Sequence, residues 1–170
     1  FLRENATKSK LASIAYNNGI LAFATHAITP FQLENISEPS LLLNEWLGAK
    51  EIAFKLNINA SVVLLSACET AWSSAKNKEP ILDLPMAFIL SGSQTVVVTN
   101  WSIEDQATKD IMVEAADYIY KNPNEANLFN KALRQGMNNY IIENKNKDYA
   151  GISRSHPFFW APFELIGVPN

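Results

Sequence analysis

Ser61-Val62-Val63-Leu64-Leu65-Ser66 is a run of strand length with nothing polar between its two serines. A strand with one face in water alternates apolar and polar residues. A run without alternation must be covered on both faces, as in the middle of a parallel sheet. Two more runs have this character: Ile20-Leu21-Ala22-Phe23-Ala24-Thr25 ahead of it, and Gln94-Thr95-Val96-Val97-Val98-Thr99 behind it. Helical segments separate them. Ala49 to Leu56 lies in the first interval and Leu84 to Ser91 in the second, the latter with Asp83 as N-cap, Pro85 in its first turn and Gly92 just past its end. Strands alternating with helical crossovers predict an α/β fold with a largely parallel sheet and helices on both faces.

Working outward, Thr7 to Tyr16 predicts a helix stopped by Asn17-Asn18-Gly19. Residues 26–40 read as a loop, Leu41-Leu42-Leu43 as a short strand, and residues 71–80 as a polar loop. Glu104 to Tyr120 is the longest amphipathic helix, with acids in its first turn and Pro123 beyond its end. Asn124 to Ile142 reads as another helix and Glu143 to Asp148 as a solvated charged loop. Phe158 to Gly167 reads as a last strand that seals the core, with Phe158, Phe159, Trp160 and Phe163 as core residues.

The chain has 170 residues, of which 48% are hydrophobic and 18% charged, with a net charge of −3. That length suits one domain with its own core. The charge balance gives no footprint for a phosphate backbone or an anionic membrane, so direct nucleic-acid binding and membrane association are not expected. No apolar run reaches the length of a membrane span. The charged fraction is below the usual ~25%, which suggests that part of the surface is normally covered. The sequence opens on Phe1 and reads as part of something longer. Its one cysteine excludes an internal disulfide and points to a reducing, cytoplasmic setting. Two histidines and one cysteine, far apart, do not make a metal site. The six glycines form neither a dinucleotide nor a phosphate loop, so no cofactor is expected.

In open parallel sheets chemistry gathers beyond the carboxyl ends of the strands. His26 directly follows the run ending at Thr25, and Cys68 comes two residues after the run ending at Ser66. If those strands are parallel neighbours, ~4.8 Å apart, an imidazole and a thiol leave the same edge of the sheet. A free thiol, with a pKa of ~8.5, is mostly protonated at neutral pH. A histidine beside it can take that proton and later deliver it to a leaving amine. Backbone amides next to the histidine and the cysteine would serve an oxyanion.

The bland alternatives stay open at this stage. Free cysteine is among the most buried residue types, and a strand-end histidine often just bonds a loop. Glu69, if turned inward, would raise the thiol pKa. Asp83 suits either a basic substrate group or a helix cap, and Glu104-Asp105 either a substrate-binding pair or helix-start acids. His156, before Pro157, reads as a surface or hinge residue.

These residues carry a resemblance. Phe23-Ala24-Thr25-His26-Ala27 resembles the H-F-A-T-H-G histidine motif of the CHAT peptidases, caspase-like cysteine proteases often fused to tetratricopeptide repeats. Val62 to Thr70, with Ser66-Ala67-Cys68-Glu69-Thr70, is similar to that family's nucleophile motif. Leu47 to Ala53, Met86 to Gly92, Val96 to Asp105 and His156 to Gly167 are similar to further family segments.

The resemblance implies a caspase-like, three-layer α/β/α fold whose N-terminal strand or strands are missing from this chain. Residues 1–170 would then be the catalytic portion of a longer protein. It implies a cysteine endopeptidase with His26 as general base and Cys68 as nucleophile, and with the backbone at Ala27 and Cys68 serving the oxyanion. Trp101, Asp105 and Asp83 would line the substrate cleft. Implied partners are a protein substrate, an N-terminal remainder with tetratricopeptide repeats, and an activating complex; in one branch of the family that trigger is an RNA-guided CRISPR effector. Separases share the clan and the tryptophan-containing loop.

Ala27 stands where the family has glycine, and residues 78–84 depart from the family's Gly-Glu segment. Two rival readings remain: a catalytically silent, protease-fold binding module, and a small-molecule hydrolase or transferase using Cys68.

Overall fold

The computed structural model describes residues 5–13, 19–30, 32–65 and 82–167. In chain order these form α1 (Lys8–Ser13), β1 (Gly19–Phe23), β2 (Ala27–Ile28), β3 (Ser40–Leu42), β4 (Trp46–Gly48), α2 (Ala49–Lys55) and β5 (Ala60–Leu65). There follow α3 (Leu84–Leu90), β6 (Thr95–Thr99), α4 (Asp105–Lys121), α5 (Leu128–Glu143), β7 (Asp148–Tyr149), β8 (Ile152–Ser153), a 3-10 turn at Pro157–Phe159, and β9 (Phe163–Gly167). The chain divides into two compact units, one of residues 1–100 with 164–167 and the other of residues 101–163 with 168–170. The expected helix end at residues 14–16, the polar loop 71–80, Cys68 and Glu69 lie outside the described residues.

The first unit is built on a sheet of order β1-β5-β6-β9. β1 runs parallel to β5, with Phe23 opposite Leu65, and β5 runs parallel to β6, with Val63 opposite Val96. The unbroken apolar run at β6 reads as predicted: all five of its residues are buried. Strands that are neighbours in both sequence and space need crossovers of one hand, which puts α2 and α3 side by side on one face. There Ile52 and Ala53 of α2 and Ala87 and Phe88 of α3 join Phe23, Val63, Leu65 and Val96 in one core. The Phe88 ring lies 5.2 Å from that of Phe23.

α3 starts and stops as its sequence dictates. Asp83 Oδ1 accepts the Met86 N–H at 2.8 Å, Pro85 sits where its missing N–H is harmless, and Gly92 takes the left-handed conformation at φ +109°.

Among the described strands the sheet has two unlike edges. β9 carries Glu164, which is exposed and accepts a bond from Asn100 Nδ2 at 3.1 Å. β1 (Gly19-Ile20-Leu21-Ala22-Phe23) has neither charge nor proline, and Ile20 is 44% exposed.

Residues 26–40 correct the loop expectation in part. β2, β3 and β4 form a small antiparallel sheet, with Ala27 opposite Leu41 and Leu41 opposite Leu47. Leu41 and Leu47 are fully buried. Strands of two or three residues have no period to read in a sequence, so packing alone reveals them.

In the second unit α4 packs along α5. A Cβ at Gly136 of α5 would run into the Ile111 carbonyl oxygen of α4, so the close approach of the two backbones requires glycine there. Arg154 pairs with Glu104 at 2.5 Å, with both side chains largely buried. Burial pushes the Tyr140 hydroxyl pKa up, and the nearby Arg154 guanidinium pulls the other way. β7 and β8 make a hairpin that starts at Asp148, the last residue of the expected charged loop, and turns through Ala150 (φ 52°) and Gly151 (φ 82°).

The last strand begins later than expected, at Phe163 and not Phe158. His156 Nδ1 accepts the Phe158 N–H at 3.1 Å and starts the 3-10 turn through Pro157 instead. Phe159 is core as predicted, whereas Phe158 stays 44% exposed.

Candidate functional site

His26 sits in the short link between two sheets. β1 ends at Phe23, and the chain enters the small antiparallel sheet at Ala27. Leu42 of β3 grips this link at two points: its N–H donates to the His26 carbonyl at 2.9 Å, and its carbonyl accepts the Thr25 hydroxyl at 2.5 Å. Thr25 through its side chain and His26 through its carbonyl are therefore tied to Leu42, whose neighbour Leu41 is fully buried. His26 itself is exposed, so its backbone is fixed while its ring stays accessible.

Ala27 answers the question raised by its replacement of glycine. It lies in an extended strand and is not among the positive-φ residues, so alanine carries no backbone strain there. The bond from Leu42 N to His26 O flanks the Ala27–Leu41 pair, which makes that pair the kind that exchanges no bonds of its own. The Ala27 N–H thus points away from β3.

The strands that precede His26 and Cys68 in the sequence, β1 and β5, are parallel neighbours. Phe23 and Leu65 are register partners, and His26 and Cys68 each follow three positions later in the sequence. Cys68 itself lies outside the described residues.

The other candidates are distributed as follows. The Asp83 carboxylate holds the first turn of α3 through Met86 N–H, which is the cap reading. Asp105 is the exposed first residue of α4. Its neighbour Glu104 is engaged with Arg154 and keeps Oε2 buried without a hydrogen-bond partner. Trp101 belongs to the second unit, where its indole N–H donates to the Phe158 carbonyl at 2.9 Å. Among the described residues no group of three or more His, Cys, Asp or Glu is placed to hold a metal ion. None of the described helices is long and apolar enough to cross a membrane.

The sequence reading did not single out Thr25 or Leu42. A hydroxyl just before the histidine was a visible hint for the first. Leu42, 16 residues past His26, offered none.

The mostly parallel central sheet β1-β5-β6-β9 with its helices is an α/β fold of the caspase-like kind. The family model of the CHAT domain matches residues 1–168, and the chain belongs to the CHAT domain family, a family of caspase-like proteases. No curated protein matches the chain.

Proposed function

We propose that this chain is a cysteine endopeptidase working through a His26–Cys68 dyad, held inactive in the cytoplasm until a partner module engages it. The observation that carries this reading is the parallel register of Phe23 with Leu65 at the ends of β1 and β5. It is supported by family membership and by the accessible, backbone-anchored His26.

In this mechanism His26 takes the Cys68 proton, and the thiolate attacks the scissile carbonyl carbon. The carbonyl π electrons move onto oxygen, where the amides of Ala27 and Cys68 are the proposed donors. Collapse breaks the C–N bond, the His26 imidazolium protonates the departing amine, and a thioester remains on Cys68. Water, deprotonated by His26, then hydrolyses the thioester and restores the thiol.

The uncharged strand β1, an edge of the sheet among the described strands, supports the partner part of the proposal. Such an edge is suited to receiving a further strand from an N-terminal remainder carrying tetratricopeptide repeats. Trp101, Asp105 and Asp83 remain the proposed substrate contacts, and an activating complex, such as an RNA-guided effector, would release the resting state.

The test is the pH dependence of Cys68 alkylation by iodoacetamide, in the parent protein, with and without His26→Ala. The expected result is a thiol pKa clearly below ~8.5 that rises when His26 is removed. A thiol indifferent to His26, with and without candidate activators, would instead identify a catalytically silent binding module.

A further inference from the structure

Thr25 does something that no ordinary strand residue does. In an unbroken antiparallel ladder, two residues that pair through hydrogen bonds exchange both of them. His26 and Leu42 exchange only one: Leu42 N–H donates to the His26 carbonyl, while the Leu42 carbonyl takes the Thr25 hydroxyl in place of the His26 N–H. A side chain has replaced a backbone rung at the one position where the chain passes from the parallel sheet into the antiparallel one. Phe23 on one side of the link is buried, and Ala27 on the other is partly buried and packs against the same core, so both ends are fixed by core packing. Among the described residues, the three between them, Ala24 to His26, make two bonds that set their path, both to Leu42.

We infer that Thr25 is a positioning residue for His26. Its hydroxyl closes the link onto Leu42 and so holds the root of the exposed imidazole in one place. The inference rests on the His26–Cys68 reading for its consequence in reactivity, but the ordering of the His26 ring can be measured without it. Leu42 is a poor test position, because it also supports the small sheet. Thr25→Val keeps the volume and the β-branch and removes only the donor. Thr25→Ser restores the donor.

Two measurements test this on wild type, Thr25→Val, Thr25→Ser and His26→Ala. The first is the pH profile of Cys68 alkylation. Thr25→Val should lower the rate at neutral pH by about three- to tenfold by shifting the midpoint upward, and Thr25→Ser should recover most of it. The second is NMR relaxation of the imidazole C–H groups, which is simple to assign with two histidines in the chain and a His156→Gln control. Thr25→Val should leave the His26 ring more mobile, and Thr25→Ser should restore its order.

If His26→Ala shifts the alkylation profile and Thr25→Val does not, the dyad stands and the positioning role falls. If His26→Ala shifts nothing, the dyad reading falls and ring order alone decides the role of Thr25. A His26 ring equally ordered in Thr25→Val and wild type overturns the inference in either case.

Discussion

The two units of this chain are held together in opposite ways. The first is a mosaic of short pieces, from two-residue strands to seven-residue helices, knitted by one apolar core in which Phe88, Leu41, Leu47 and Ile52 are fully buried. The second rests on two long helices whose backbones meet closely at Gly136 and Ile111, with the Arg154–Glu104 pair beside them. A core made of many side chains is most sensitive to lost volume, and a close backbone crossing is most sensitive to added volume.

The largest effect is therefore expected from Phe88→Ala. Emptying a fully buried aromatic site that touches the Phe23 ring should cost roughly 3–5 kcal/mol. Amide exchange should accelerate throughout β5 and β6 and much less in α4 and α5. Equal acceleration in both units would mean that they unfold as one body and would dissolve the contrast.

Next comes Gly136→Ala. Alanine is the better helix former by about 1 kcal/mol, so by propensity alone the change should stabilise α5. The new methyl meets a backbone carbonyl and not a flexible side chain, so a net loss of about 1–3 kcal/mol is expected, visible as a lower thermal midpoint and faster exchange in α4 and α5. A raised midpoint would show that the helices can slide apart without loss.

The smallest effect concerns pH. The Glu125 carboxylate is held below its ordinary pKa, first by its bond from Lys131 at 2.7 Å and then by the Tyr118 hydroxyl at 2.6 Å. A depressed folded pKa stabilises above the unfolded value, near 4.5, and that contribution is lost as pH falls through the folded value. Wild type should lose a little more stability than Lys131→Met between neutral and acid pH, measured by denaturant midpoints. Parallel curves would mean that solvent screens this exposed cluster completely.

How much of this could be read in advance differs along the same line. The runs at 20–25, 61–66 and 94–99 declared parallel strands because Val, Ile and Leu recur there without polar relief, and the strand edges moved by only a residue or two. Cover on both faces holds for β6 but not for β1, which among the described strands lies at the sheet edge and leaves Ile20 and Ala22 exposed. Asp83, Pro85 and Gly92 marked both ends of α3 because capping is local chemistry. Ala27–Ile28 and Trp46–Gly48 were invisible, since a strand that short is defined by its partner. The β7–β8 hairpin hid behind an Ala150-Gly151 turn, where Asn-Gly would have announced it.

The site followed the same division. The place of His26 past a strand end was legible, and so was the parallel pairing with the strand before Cys68. The role of Thr25 was not, because it is defined by a carbonyl 17 residues away.

The bare edge of β1 has a practical consequence. Among the described strands none lies beyond β1, and its charge-free sequence makes it a template on which a loose extended segment can build, including β1 of another molecule. Purified without whatever normally lies against that edge, the chain should gather into soluble oligomers that grow with concentration. A lysine in place of the exposed Ala22 is the economical gatekeeper, since it interrupts the template without entering the core that Phe23 occupies.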